Sequence, residues 1–288
     1  MISVCIPAYE SPELFERTLI SVLNQKGCDL EVIVTDDSIT NDVSAVVERY
    51  QKQYQIRYFR NENRLGAVNN WNKSLSLANG EVKKILHHDD WFVDEYSLVE
   101  MCMPILEKRA DIVFSNCLAM AKEAIIFTHK IDSKKMDDLK IHPENLVFGN
   151  SIGAPSVMAL SSKINVSFNP HFLWLSDIDF YIRAIRASKL GIALVERPLI
   201  CITTDGAGQI SRECEANKSR SIYEFIKLAN QESKHLKNKK DVKLYISSLA
   251  FSLSLFELLA LIKETLLKGE YFVIKYTYPT IFRKIFQR

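Results

Sequence analysis

The feature that most restricts this chain is the alternation of its first 115 residues. Short β-rich runs recur at Ile2–Ile6, Leu30–Thr35, Ile56–Phe59, Val82–Leu86 and Asp111–Ser115. Between them lie segments of helical spacing, with helices predicted from Pro12 and over about Asp42–Tyr54, Gly66–Ala78 and Asp94–Lys108. Ser11-Pro12-Glu13 reads as a helix start capped by Ser11, and Asn79-Gly80 as a helix stop. Strands joined through helices run parallel, because a parallel pair needs a long crossover. The pattern therefore predicts an α/β sheet with helices on both faces. Ligands of such sheets sit beyond the carboxyl ends of the strands. Three polar clusters fall there: PAYE after the first strand, TDDS after the second and HHDD after the fourth. They are remote in sequence and are expected to converge.

The later chain is less regular. A helix is expected at Asp177–Ser188, a strand at Ile192–Val195, and mostly helix from about Arg212. The 37 basic and 35 acidic residues nearly cancel, so no global field draws nucleic acid and any anion site must be local. The six cysteines have no CxxC spacing and read as buried apolar residues of a reducing compartment. MISVCIPAYE lacks a basic stretch followed by an apolar one, so a cytoplasmic protein without a secretory signal is expected. Leu244–Ile262 is almost wholly apolar apart from Glu257, and KYTYPTIFRKIFQR mixes aromatics with Lys275, Arg283, Lys284 and Arg288. That mixture suits peripheral contact of 244–288 with a membrane face. A helical pair packed on the main domain is the alternative, and a true span is the least favoured.

Asp89 and Asp90 are adjacent carboxylates at a strand end. Their repulsion needs an offset, and a hard divalent cation, Mg²⁺ or Mn²⁺, supplies it. A solvated loop with Asp90 capping the next helix is the plain alternative. His87 and His88 would point to opposite faces if the strand continued, so at most one is expected to face the site. Asp36 and Asp37 could accept from a base N–H or a sugar hydroxyl, or could simply form a turn with Ser38. Asp177 opens a helix and could be a general base; at the ordinary aspartate pKa near 3.9 it would be ionised at neutral pH. Asp179, the nearest competitor, is turned away from it by helical spacing.

Taken together, VCIPAYE, LEVIVTDDS, NRLGAVNNWNKSLSLANGE, HHDDW and SDIDFYIR resemble, in order and spacing over about residues 1–205, the family-2 inverting glycosyltransferases of the bacterial surface-polysaccharide type. The resemblance implies the GT-A fold: a Rossmann-like, mostly parallel sheet flanked by helices. It implies a nucleotide-sugar-binding half at 1–115 and an acceptor-binding half at 116–211. A helical C-terminal extension, 212–288, lies beyond the resemblance. Pro7, Ala8, Tyr9 and Glu10 would line the base and ribose, and Asp37 would bind the base with Asp36 beside it. Arg64 and Asn72 would border the nucleotide and sugar, and His88 and Asp89 would complete the donor-binding set. Asp89 and Asp90 would hold the metal, and Asp177 would be the base. Two positions depart from the family pattern: His87 stands where a third acid often stands, and Ser176 where an acid usually precedes the base. Asp205-Gly206-Ala207-Gly208-Gln209 resembles the loop that closes over the diphosphate.

The implied activity is metal-dependent hexosyl transfer from a nucleoside diphosphate sugar, with UDP the expected nucleotide. The acceptor is a saccharide hydroxyl, expected to be lipid-linked, in surface polysaccharide or O-antigen assembly. A non-catalytic nucleotide-sugar binder keeps the same fold without turnover. A metal-dependent phosphohydrolase built on HHDD would need further ligand clusters, yet His129, His142, His171 and His235 are scattered singly. An NAD-dependent oxidoreductase would need a G-x-G-x-x-G turn after the first strand, where PAYESPE stands.

Overall fold

The computed structural model describes residues 1–205, 217–237, 239–267 and 269–286. The strands are β1 (Ile2–Ala8), β2 (Leu30–Asp36), β3 (Ile56–Arg60), β4 (Val82–Ile85), β5 (Trp91–Phe92), β6 (Ile112–Ala121), β7 (Ala124–His129), β8 (Met158–Ser161) and β9 (Ile192–Thr203). The helices within the first 205 residues are α1 (Pro12–Leu23), α2 (Asp42–Tyr50), α3 (Ala67–Ser76), α4 (Ser97–Leu106), α5 (Ser133–Ile141) and α6 (Ser176–Ala187). The C-terminal helices are α7 (Lys218–Gln231), α8 (Lys239–Phe251), α9 (Leu255–Leu267) and α10 (Phe272–Phe286).

Among the described residues the strands form one nine-stranded sheet in the order β3-β2-β1-β4-β8-β6-β9-β5, with β7 paired to β6. From β3 to β4 every pairing is parallel. Beyond β4 the sheet becomes mixed, because β8 runs antiparallel to both β4 and β6 while β6 and β9 run parallel. All seven residues of β1 are buried, as a central strand covered on both faces requires. Helix α3 lies against β1, β2 and β4, and α4 against β4, β6, β8 and β9. Helix α1 buries Phe15, Thr18, Leu19 and Val22, a one-face spacing in which Thr18 is the polar exception.

Two local expectations give way to tertiary contacts. Ser11 does not cap α1 with its side chain: Glu10 and Ser11 both take left-handed φ, 48° and 52°, and the turn they make carries the hydroxyl out of reach. Asn79-Gly80 does not end α3, which stops at Ser76. Gly80 serves a close approach instead, since a Cβ there would meet the Met1 carbonyl oxygen and the Ser3 nitrogen at 2.8 Å.

Packing divides the chain into two compact units. The first holds Met1–Pro143, Ser151–Pro170 and Phe180–Ala207, and with them the sheet. The second gathers Glu144–Asn150, His171–Asp179 and Gly208–Arg288. In the second unit Thr280 Oγ1 donates to the Ser247 carbonyl (3.1 Å), Tyr223 Oη donates to the Glu270 carboxylate (2.6 Å), and Tyr245 meets the rings of Phe148 and Phe225. The apolar run 244–262 is not one helix. Ser254 and Glu257 form a capping box: the Ser254 N–H donates to Glu257 Oε2 (2.7 Å) and the Glu257 N–H to Ser254 Oγ (3.2 Å). That box starts α9 three residues after α8 has ended. Among the described residues, no helix is long and apolar enough to cross a membrane.

Candidate active site

The ends of β1 and β2 build the first part of the site. The Asp37 N–H donates to the Ala8 carbonyl (3.0 Å), which ties the two strand ends together. The Asp37 carboxylate accepts from Asn61 Nδ2 (2.8 Å), the Leu65 N–H (2.8 Å) and the Gly66 N–H (2.9 Å), so it fixes the turn ahead of α3. Gly66 takes φ 78° there. Asp36 is fully buried and accepts from the Ser38 N–H (2.9 Å) and Tyr58 Oη (2.6 Å). Glu10 accepts from the Ile39 N–H (2.7 Å) and Thr40 Oγ1 (2.9 Å), and these bonds, the first above all, lower its pKa. The Arg64 guanidinium lies 4.7 Å over the Tyr9 ring, a flat cationic wall of the kind that stacks a nucleobase. Pro7, Ala8, Tyr9, Glu10, Asp36, Asp37 and Arg64 thus gather at one sheet edge. On α3, the Asn72 side chain exchanges two 2.8 Å bonds with the Phe168 backbone.

The second part lies beside the first, since β4 pairs with β1 and the Leu86 N–H still bonds the Cys5 carbonyl (2.9 Å). The strand ends at Ile85, and His87–Asp90 form a turn closed by the Asp90 N–H on the His87 carbonyl (3.0 Å). Strand alternation therefore does not govern the two histidines. Ligand atoms of His87, Asp89 and Asp90 lie within 4.8 Å of one another. The His87 ring stacks on Trp71 (4.7 Å between centres), and its buried Nε2 has no hydrogen-bond partner. Burial pushes His87 down to about 4, so the imidazole is neutral and can offer a lone pair. Asp90 is 2% exposed; burial, and then the neighbouring Asp89, raise its pKa well above the carboxylate range. It caps no helix: its Oδ1 accepts from the Thr203 N–H (3.2 Å). His88 is half-buried, with its carbonyl held by Thr18 Oγ1 (2.8 Å). An orphaned imidazole nitrogen and two crowded carboxyls form a donor set short of positive charge, and such a set fits a divalent cation.

The floor of this turn comes from α1 and β9. Arg17 Nη2 donates to the Asp89 carbonyl (3.2 Å) and to Thr203 Oγ1 (2.9 Å), with its guanidinium 3.5 Å over the Trp91 ring. Thr18 Oγ1 also reaches the Asp90 carbonyl (2.7 Å). Lys84, on β4, is fully buried; burial pushes it down to about 7, and its Nζ donates to the carbonyls of Ser156 and Met158.

The second unit carries Asp177, the second residue of α6. Its Oδ1 accepts from the Ile178 N–H (2.7 Å) and its Oδ2 from Asn150 Nδ2 (2.6 Å). The expected ordinary acidity does not hold. Burial, the largest influence, outweighs these donors and pushes Asp177 up to about 7. Asp179 is buried at 2% exposure. Ser176 turns its hydroxyl back to the Leu173 carbonyl (3.0 Å). In the 205–209 segment, Asp205 accepts from the Lys122 N–H (3.0 Å), and residues 206–209 lie outside the described residues.

Residues 3–164 match the family model described as glycosyl transferase family 2, more than half of the chain. The chain belongs to glycosyl transferase family 2. Among curated members it is 35% identical over 207 residues to the GalNAc(5)-diNAcBac-PP-undecaprenol β-1,3-glucosyltransferase of Campylobacter jejuni, covering 66% of this chain and 64% of that protein. It is 30% identical over 156 residues to the abequosyltransferase RfbV of Salmonella typhimurium, covering 53% and 45%. The chain thus spans less than two thirds of the length of these relatives. Among solved structures, S. aureus TarS 1-349 in complex with UDP-GlcNAc superposes with a TM-score of 0.62 at 14% identity, over 97% of this chain and 89% of that one. The mannosyltransferase PcManGT of Pyrobaculum calidifontis in complex with GDP-Man and Mn²⁺ gives 0.56 at 15% identity, over 98% and 87%. These likenesses, with the mixed sheet and its helices, establish the GT-A fold and the helical C-terminal region for this family-2 chain.

Sequence reading missed several residues around these sites. Arg17 sits on an amphipathic helix, and nothing local marks it as a contact of residues 89 and 203. Asn61, which bonds Asp37 and receives Lys73 Nζ (2.6 Å), lies two residues before the NRLGAVNNWNKSLSLANGE motif, where nothing local marks it. Asn150 and Thr203 are ordinary loop and strand polar residues in sequence, and only the fold gives them their partners.

Proposed function

We propose that this family-2 chain is an inverting glycosyltransferase that moves a sugar from a nucleoside diphosphate sugar, UDP-linked, to a saccharide hydroxyl. The observation that carries the reading is the adjacency of two chemistries at one sheet edge. The Tyr9–Arg64 wall and the Asp37-fixed turn lie at the ends of β1 and β2, and the His87–Asp89–Asp90 cluster lies at the end of β4.

In this reading Pro7, Ala8, Tyr9, Glu10 and Arg64 receive the base and ribose, with Asp37 and Asp36 shaping that pocket. Asp89, Asp90 and His87 would hold Mg²⁺ or Mn²⁺, which when bound supplies positive charge for a departing diphosphate. His88 and Asn72 are assigned to the sugar side by their place in the motif. The acceptor hydroxyl attacks the anomeric carbon as the bond to the diphosphate breaks. Asp177 takes the hydroxyl proton, and configuration inverts. A carboxylate raised to about 7 is a stronger base than an ordinary aspartate and is still half ionised at neutral pH.

The relatives, a glucosyltransferase of a PP-undecaprenol-linked saccharide and an abequosyltransferase, support a lipid-linked acceptor and surface polysaccharide assembly. Peripheral contact with the cytoplasmic face of a membrane fits the exposed apolar side chains of the second unit. Phe256 is 82% exposed, Leu267 80%, Tyr271 70% and Tyr278 61%, with Lys263 and Lys275 exposed among them.

A thermal-shift screen of nucleoside diphosphates, each with Mg²⁺ or Mn²⁺, should name the base and reveal metal linkage. Asp90→Ala should abolish the metal-dependent part of that shift. Asp177→Asn should keep the nucleotide shift and lose at least ~100-fold of donor turnover. Wild-type turnover in Asp177→Asn would remove that residue from the mechanism.

A further inference from the structure

Glu224 lies on α7 and is 1% exposed. Its carboxylate receives three consecutive backbone N–H groups from a segment about fifty residues earlier. The Leu173 N–H reaches both oxygens (3.0 and 3.1 Å), and those of Trp174 (2.8 Å) and Leu175 (3.0 Å) reach Oε2. Arg220, one helical turn before it, adds Nε at 3.2 Å. Three successive donors converging on one anion form a backbone nest, a strong form of capping. Here the cap is tertiary, and the segment it holds runs directly into α6.

The first turn of α6 hangs on the same peptides. The Asp179 N–H bonds the Leu175 carbonyl (3.0 Å), and Ser176 Oγ bonds the Leu173 carbonyl (3.0 Å). Asp177 sits between them. A shift of the nest would move that carboxyl away from Asn150.

We propose that Glu224 is the positioning residue of Asp177: its carboxylate gathers the three peptides that lead into α6 and so fixes where the Asp177 carboxyl stands. Its negative charge bears on the same carboxyl, as the last of the leading influences there. This rests on the reading of Asp177 as the base, which Asp177→Asn tests separately. The leading influences on Asp177 are burial, the backbone N–H groups of Ile178 and of Asp177 itself, Asn150 from the 144–150 segment, and Glu224 from α7. Only Glu224 among these is charged. Asp179, on the same helix, has its own partners. Arg220 is the cation that tempers Glu224, and its side chain is 45% exposed.

The test is a carboxyl-carbon NMR titration of the full chain labelled at aspartate, with the Asp177 signal assigned by its loss in Asp177→Asn. The midpoint near 7 should fall by roughly half a unit or more in Glu224→Gln, which keeps the shape and removes the charge. Arg220→Gln leaves the nest intact and unmasks the charge, so the midpoint should rise by a few tenths of a unit. The surface position of Arg220 makes that variant the safeguard should Glu224→Gln fold poorly. An unmoved midpoint in Arg220→Gln, or an unmoved midpoint in a folded Glu224→Gln, overturns the proposal. A Glu224→Gln variant that merely melts earlier, with the Asp177 midpoint in place, shows a structural cap only and also overturns it. Turnover equal to wild type in Asp177→Asn would instead sink the base reading, whatever the titration shows.

Discussion

Asp177→Asn should stabilise the protein at high pH and weaken it at low pH. Burial holds the folded-state pKa at about 7, while the unfolded chain titrates near 3.8. The folded state therefore binds more protons between those values, and stability falls as pH rises through that window. A shift of that size corresponds to about 4 kcal/mol as an upper bound, and to about 2 kcal/mol once the remaining solvent exposure is allowed for. Asp177→Asn abolishes the penalty because an amide does not ionise. It also replaces one acceptor oxygen by NH₂, so either the Ile178 N–H or Asn150 Nδ2 loses its partner, at a cost of about 1 kcal/mol. The two effects predict a crossing. At pH 4 the variant should be about 1 kcal/mol less stable than wild type, and at pH 8.5 about 1–3 kcal/mol more stable. For a chain of this size that is several degrees in melting temperature, with opposite signs at the two ends. Paired thermal or urea melts from pH 4 to 8.5 measure it directly. A stability difference that stays flat with pH, or that grows more unfavourable for the variant as pH rises, would refute the burial argument.

Three further perturbations follow from the same contacts. Asp37→Ala strips an acceptor from Asn61, Leu65 and Gly66; it should cost about 2–4 kcal/mol and weaken UDP binding at least ~10-fold, read by calorimetry with the folded variant. Arg17→Met removes two hydrogen bonds and a stacked cation beneath the Asp89–Asp90 turn. It should cost about 2 kcal/mol and weaken Mn²⁺ binding roughly 10-fold, measured by thermal shift with and without the ion. Unchanged Mn²⁺ affinity would show that the turn keeps its shape without that support. Phe256→Ser combined with Leu267→Ser, both on exposed faces, should leave the melting temperature within a few degrees and reduce flotation with phosphatidylglycerol vesicles. Equal partitioning of variant and wild type would remove those side chains from any membrane contact.

Much of this architecture was legible because its signals are local. The apolar runs and the turn residues between them gave β1 to β4 and their parallel order, and the clusters at their carboxyl ends converged on one edge as that order requires. The same local reasoning failed where a residue's partner lay elsewhere in the chain. Ser11 had the composition of a cap but not its backbone, and Asn79-Gly80 had the look of a helix stop while serving contact with Ser3. The long apolar run near the C-terminus holds a Ser254–Glu257 box that cuts it in two, a local signal masked by the apolar residues on either side. The pairing of Asn72 with Phe168, of Arg17 with residues 89 and 203, and of Glu224 with residues 173–175 spans about 50 to 190 positions, and no local pattern encodes it.

Sequence by itself determined the strand–helix order, the placement of acids at strand ends and the family. Each of these depends on the kind of residue at a given spacing, and the backbone's own periodicity turns spacing into position. Tertiary structure decided which of those acids stay charged and which neighbours they touch. It made His87 a neutral member of the acidic cluster, pushed Asp177 to about 7 and put Glu224 against the peptides before it. The physical reason is that protonation and hydrogen bonding depend on solvent exclusion, which exists only once distant segments have closed around a group.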